Sequence, residues 1–300
     1  MQHGIKAWAT AGRYNTSILR DLLIALILGI GCYPSSAAII GPKDDWIDIR
    51  DAEKACPPNA DPHLACGLSH DQIDAILKAG YRMNCGGYLN AWALKDPSDG
   101  SVYLYTNWHG FMHDPDTWEP NWRTCTFSPY TDPSIELAYN PTSLRLGSKD
   151  GYKKAFWNDR ARVELKGIEP EAPLIISSDA VRNVRQNDRV LFVSINPATP
   201  SQVRAEFCIV MRPPSFKPTR PGILDTDCDN TFGNSGGLLL TPNSFDKGAV
   251  SALDPVAIHQ GNMQKVGDYQ AWDFQNNTSV NQTIDENFLS QFVSRSGALK

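Results

Sequence analysis

The sequence predicts an all-β fold, a barrel or sandwich of short strands with helix confined to two places. Seven short runs carry the prediction: "GGYLNAW", "SVYLYTNW", "RARVEL", "RVLFVSI", "AEFCIVM", "GGLLLT" and "PVAIHQG". They are rich in β-branched, aromatic or other apolar residues, and clusters of Pro, Gly, Asn and Asp separate them. Helical patterning appears at two points, each opened by a capping box. Hydrophobic residues make up 41% and aromatics 10% of the 300, enough to fill the core of one large domain or two small ones.

The first 38 residues stand apart. Lys6, Arg13 and Arg20 precede the apolar block Leu22 to Ile30, and the small residues of "PSSAA" follow. This is a signal-peptide pattern, with cleavage expected near Ala37 or Ala38. The block is about half of the roughly 20 residues that span a bilayer, which favours export over a retained anchor. "LGIGC" raises lipidation of Cys32 as an alternative, with Gly29 where such signals usually carry a branched apolar residue.

In "LSHDQIDAILKAG", Ser69 and Gln72 form a capping box and Gly80 a stop, predicting a short helix. The strand-like runs follow. "GIEPEAP", residues 167–173, holds two prolines and two glutamates and is the best linker between two halves. Near the end Thr283 and Glu286 form a second capping box, and Ile284, Phe288, Phe292 and Val293 recur on one face. This predicts a helix over 283–300.

Loss of residues 1–38 removes three basic residues and one acidic one from totals of 28 and 33, leaving 25 against 32 and a net charge of −7. That argues against nucleic-acid binding. Outside the signal lie six cysteines: Cys56, Cys66, Cys85, Cys125, Cys208 and Cys228. An even number in an exported chain suggests three disulfides, with about 15 possible pairings, of which Cys56 to Cys66 is the local one. No C-x-x-C pair suggests zinc; no metal and no cofactor are expected.

The chemistry centres on "FGNSGG", residues 232–237. Gly233-Asn234-Ser235-Gly236-Gly237 matches G-x-S-x-G, but the hydrolase elbow needs a helix after the serine, then an acid and a histidine. Here "GGLLLTPNS" reads as a strand and only 65 residues remain, so the esterase reading fails if a strand follows Ser235. Glycines around a serine also let backbone N–H groups turn inward on an oxyanion, and Gly233 and Ser235 would supply them. A serine nucleophile needs a histidine base oriented by a carboxylate. His3 falls in the signal, while His63, His70 and His113 sit in polar stretches and are expected to be solvated. His109 ends the strand "SVYLYTNWHG" and His259 lies in "PVAIHQG". Asp159 opens "DRARVEL", whose Ala161, Val163 and Leu165 would face the core.

The order His109, Asp159, Ser235 together with "GNSGG" resembles the chymotrypsin-like serine proteases, in which Thr-Ala-Ala-His, Asp-x-Ala and Gly-Asp-Ser-Gly-Gly segments recur. The matching segments are Thr106-Asn107-Trp108-His109, Asp159-Arg160-Ala161 and Gly233 to Gly237. "NCGGYL" resembles the family's Cys-Gly-Gly strand, and "IIGPKDDW" the mature start of secreted relatives of the glutamyl endopeptidase type. The resemblance spans roughly residues 39–300. It implies two six-stranded antiparallel β-barrels with a C-terminal α-helix: a first barrel within 39–172, a second within 173–282, and the helix over 283–300. It also implies a secreted or periplasmic endopeptidase acting on protein or peptide substrates, without stable membrane association once the signal is gone. Ser235 would attack, His109 would shuttle the proton and Asp159 would orient the imidazole. An inactive, protease-like binding module is the alternative.

The same resemblance implies disulfides from Cys85 to Cys125 and from Cys208 to Cys228. Gly110 replaces the cysteine that normally follows the histidine, so the first of these spans an aromatic insert with Trp118 and Trp122. Asn234 replaces the aspartate that in trypsin-type zymogens pairs with a freed N-terminus; a neutral amide cannot make that pair. For substrate binding, Asp229, six positions before Ser235 and followed by Asn230, lies where the resemblance to trypsin puts a carboxylate for Arg or Lys. His259 matches the histidine with which glutamyl endopeptidases receive a carboxylate. Basic residues before the cut are expected ahead of acidic ones.

Overall fold

The computed structural model describes residues 46–111, 125–147, 159–196, 199–213, 222–229, 233–242, 253–262, 279–284, 288–289 and 292–294, all within the compact unit of residues 37–300. The expected signal segment 1–38, His113, Trp118, Trp122, Asn230 and Glu286 lie outside the described residues. Among the described residues no helix is long and apolar enough to cross a membrane.

Strand β1 (Ile47–Asp48) leads to helix α1 (His70–Ala79). The capping box forms as expected: Gln72 N–H donates to Ser69 Oγ at 3.2 Å, and Ser69 N–H to Gln72 Oε1 at 2.9 Å. Gly80 ends the helix for a packing reason, since a Cβ there would meet the Tyr130 ring at 2.1 Å.

Next come β2 (Gly80–Asn84), β3 (Tyr88–Lys95), β4 (Val102–Thr106), β5 (Thr126–Pro129), β6 (Leu137–Ala138), β7 (Arg145–Leu146), β8 (Ala161–Val163) and β9 (Leu174–Ile175). After α2 (Ser178–Asn183) follow β10 (Arg189–Asn196), β11 (Thr199–Arg212), β12 (Ile223–Thr226), β13 (Leu238–Pro242), β14 (Leu253–Asn262) and β15 (Ser279–Thr283). Strand β16 (Val293–Ser294) is the last.

The second half closes into a six-stranded antiparallel barrel, β11-β10-β13-β14-β15-β12 with β12 returning to β11, and β1 adds to its edge. The first half is a curled sheet of order β16-β7-β8-β4-β3-β2-β5-β6, with β9 alongside β3. It is a half-barrel rather than the second closed barrel expected. Its strands are as short as two residues, and among the described residues its two sides meet at a single bridge, Tyr139 to Leu165.

The expected C-terminal helix is not confirmed over the whole of 283–300, where the described residues are part strand and part helix. Thr283 ends β15 opposite Ala257, and Val293–Ser294 pairs with Arg145–Leu146 of β7; Phe288 and Leu289 between them are helical. Phe288 and Phe292 pack their rings against Tyr105 and each other, with the Arg160 guanidinium over both.

Strand alternation sorts the core. From β3, Ala91 and Ala93 enter the first-half cluster with Met83, Leu104 and Val163, while Trp92 and Leu94 enter a cluster shared with Leu191, Val193 and Leu238 of the barrel. The even-numbered face of β3 therefore looks toward the second half. Disulfides join Cys56 to Cys66, Cys85 to Cys125 and Cys208 to Cys228, the expected pairing.

Candidate active site

Three segments build the site. Strand β4 ends at Thr106, and a one-turn 3-10 helix over Trp108–Phe111 follows, with Trp108 and Phe111 buried as anchors. His109 between them keeps 30% of its side chain accessible. Asn107 turns inward and donates from Nδ2 to the Asp159 carbonyl at 3.0 Å. The two residues that depart from the alanines of the resemblance thus have defined roles: one packs, the other ties the histidine turn to the aspartate.

Asp159 precedes β8 and is 1% exposed. Its Oδ2 lies 2.5 Å from His109 Nδ1, and its Oδ1 accepts the His109 backbone N–H at 2.8 Å. Two charge-assisted contacts to one residue fix the imidazole with Nδ1 toward the acid. Burial by itself would lower the His109 pKa, but the Asp159 charge and hydrogen bond outweigh it and hold the pKa above the ordinary 6.5.

Ser235 is half-buried in a turn whose carbonyls are all engaged. Gly233 O accepts from Asn90 Nδ2 at 3.0 Å, and Asn234 O from Gly237 N–H at 2.8 Å. Ser235 O accepts from Asn90 N–H at 2.9 Å and from Asn90 Nδ2 at 3.1 Å; Gly236 O accepts from Trp92 Nε1 at 2.9 Å. Gly236 is required twice over: its φ is +79°, and a Cβ would sit 2.1 Å from the Asn90 carbonyl oxygen. Asn234 is buried and donates from Nδ2 to Ser194 Oγ at 2.7 Å and to the Ile195 carbonyl at 3.1 Å. Strand β13 begins three residues after Ser235, which removes the esterase-elbow reading.

His109 with Asp159 comes from the first half and Ser235 from the barrel; Asn90 connects them. Its carbonyl accepts from Thr106 Oγ1 at 2.6 Å, three residues ahead of His109, while its nitrogens hold Ser235 O. Asn90 is a functional candidate that the motifs miss. The signal available in the sequence is a lone amide amid the apolar residues of "YLNAWAL".

His259 and Asp229, the residues expected to bind substrate, are both buried. His259 is 1% exposed, with Nδ1 3.0 Å from Asn281 Oδ1 and 3.1 Å from Ser279 Oγ. Burial pushes its pKa down to about 4, against the Asn281 hydrogen bond and helped by the charge of His109. The imidazole is neutral at pH 7. Its backbone clasps the serine turn, donating from N–H to Gly237 O at 2.7 Å and accepting from Gly236 N–H at 2.9 Å. Asp229, 3% exposed, directly follows Cys228 of the Cys208–Cys228 disulfide. His63 is not the solvated residue expected: its ring nitrogens lie 3.2 Å from Asp61 Oδ1 and 3.1 Å from Asp227 Oδ2.

No family model and no curated protein matches this sequence. Solved structures do. A Glu endopeptidase in complex with MPD aligns at 11% identity over 85% of this chain and 97% of its own, with a TM-score of 0.53. Rv3671c from M. tuberculosis H37Rv, in an inactive mutant form, aligns at 11% identity over 78% and 91%, with a TM-score of 0.46. The fold is that of the chymotrypsin-like serine proteases, as the sequence resemblance implies.

Proposed function

We propose that this chain, which has the chymotrypsin-like fold, is a secreted serine endopeptidase that cuts peptide bonds through an acyl-enzyme. The observation that carries the proposal is the doubly bonded His109–Asp159 pair, tied through Asn90 to the Gly233–Gly237 turn. In this reading Ser235 Oγ attacks the scissile carbonyl as His109 Nε2 takes its proton. The Gly233 and Ser235 N–H groups receive the oxyanion, and the imidazolium, stabilised by Asp159, returns the proton to the leaving amine. Water then repeats the sequence on the acyl-enzyme. Three disulfides suit an oxidising compartment, in keeping with export directed by residues 1–38.

Asp229 would select Arg or Lys before the cut, since neutral His259 offers no positive charge to a substrate carboxylate. The test is a peptide-library digest: cleavage by the wild type after Arg and Lys, and none by Ser235→Ala. Asp229→Ser should lower cleavage after Arg and Lys far more than after Glu. An equal or opposite effect would transfer specificity to His259, and no cleavage by the wild type would favour a binding module.

A further inference from the structure

Asn90 lies on β3 of the first half, fully buried, and faces the barrel on the same strand face as Trp92. Its side-chain oxygen accepts from the Ile195 backbone N–H at 2.7 Å and from the Tyr130 hydroxyl. Burial holds the Tyr130 pKa well above its ordinary value, so that hydroxyl stays a donor. The Asn90 Nδ2 faces three acceptors, Ser194 Oγ at 3.1 Å, Gly233 O at 3.0 Å and Ser235 O at 3.1 Å. A rotated amide would set its oxygen against two carbonyl oxygens, so the partners fix the orientation.

We propose that Asn90 is a positioning residue for catalysis, whose single amide in one half fixes the oxyanion-binding turn in the other. The inference rests on the reading of Ser235 as nucleophile. Its physical basis is peptide planarity: a carbonyl held in place fixes the opposite direction of the N–H in the same peptide. The Asn234 carbonyl, held by Gly237 N–H, sets the direction of the Ser235 N–H. Asn90 holds the carbonyls on both sides of that peptide, at Gly233 and Ser235, and so prevents the turn from rotating about it. The oxyanion forms only as the reaction proceeds, so a loosened turn weakens transition-state binding more than substrate binding.

The test measures kcat and KM on a peptide substrate, and the rate of inactivation by a fluorophosphonate, for Asn90→Ala and Asn90→Asp. Ile76→Val, in the buried face of α1, serves as a stability control. In Asn90→Asp the oxygen that receives Ile195 N–H and the backbone N–H bond to Ser235 O are kept, while the side-chain donor to Gly233 O and Ser235 O is lost. The expected result is a kcat lowered by about 10²-fold with KM changed by less than about threefold, inactivation slowed in parallel, and Ile76→Val at the wild-type kcat. A folded Asn90 variant with kcat within about threefold of wild type, or with the loss confined to KM, overturns the proposal. If neither variant folds, Tyr130→Phe, which removes one hydroxyl from Asn90 Oδ1, should lower kcat about tenfold at unchanged KM; an unchanged kcat overturns the proposal. Wild-type protein that the probe does not modify at Ser235 would overturn the nucleophile reading itself. Modification at Ser235 with unimpaired Asn90 variants would overturn the Asn90 inference alone.

Discussion

Asp159 holds His109 at two points, the ring Nδ1 at 2.5 Å and the backbone N–H at 2.8 Å, and is itself shut off from solvent. One carboxylate therefore sets both the position of the histidine turn and the tautomer of its ring. Replacement by asparagine keeps the shape but removes the charge, and an amide can present its nitrogen to Nδ1. Asp159→Asn should lower kcat by about 10⁴-fold. The charge is also what holds the His109 pKa up. The wild-type acid limb of kcat/KM should thus lie above pH 6.5, and the variant's residual activity should show a limb at lower pH. A pH–rate profile of both proteins checks the two statements together.

Asn234 has its amide spent on Ser194 Oγ and the Ile195 carbonyl, inside the barrel. It has no charge with which to receive an α-ammonium group. Adding one residue ahead of Ile39 should therefore leave kcat/KM within a few-fold of the unextended enzyme. Asn234→Ala, by contrast, leaves two buried groups short of a donor and should cost about 1–3 kcal/mol in denaturant unfolding. Loss of several orders of magnitude in activity on extension would contradict this reading of the turn.

His259 makes stability depend on acid. Its folded pKa of about 4 lies below the ordinary 6.5, so between these values the unfolded chain binds a proton that the folded chain does not. The contribution is fully present above pH 6.5 and is lost as pH falls toward 4. It amounts to roughly 3 kcal/mol. Unfolding free energies at pH 7 and pH 4 should fall less for His259→Gln than for the wild type, by an amount of that order. An identical acid loss in both proteins would assign the effect to other groups.

The Cys208–Cys228 disulfide closes a span of 20 residues, running from β11 to the segment that carries Asp229. The double variant Cys208→Ser, Cys228→Ser should lose about 3 kcal/mol of stability by the chain-entropy argument. Its cleavage after Arg and Lys should fall more than its thermal stability at the assay temperature explains, because the Asp229 segment is released. Guanidinium titration and kinetics on the same preparation separate the two effects.

The sequence was most informative where chemistry depends on local patterns. Ser69 and Gln72 sit three residues apart and cap α1 as their spacing demands. His109, Asp159 and Ser235 each sit in a short motif, and their order along the chain was itself a clue. Asn90 had no such signature. The partners of its Nδ2 lie 104, 143 and 145 residues away, and the only local signal is a lone amide in an apolar strand. Strand β15 was illegible for a related reason. "SVNQT" looks like a loop, yet all five residues are buried, because Ser279 and Asn281 meet His259 and Asn281 also bonds Leu224 O and Thr226 Oγ1. The polarity of Ser279 and Asn281 is tolerated because their side chains find partners on β12 and β14, strands far away in sequence. In the tail, Phe288 and Leu289 are helical while Thr283 and Val293 are strand residues, and the spacing of Ile284, Phe288 and Phe292 carried no sign of where one gives way to the other, since their packing partners are Tyr105 and the shared core.

The proposed function depends on Ser235 being a nucleophile activated by His109. The most direct measurement is intact-mass spectrometry after incubation with a fluorophosphonate, followed by peptide mapping of the adduct. One adduct per chain is expected, located on Ser235, abolished in Ser235→Ala and strongly slowed in His109→Ala. A wild-type protein that stays unmodified, or an adduct that persists in Ser235→Ala, would contradict it.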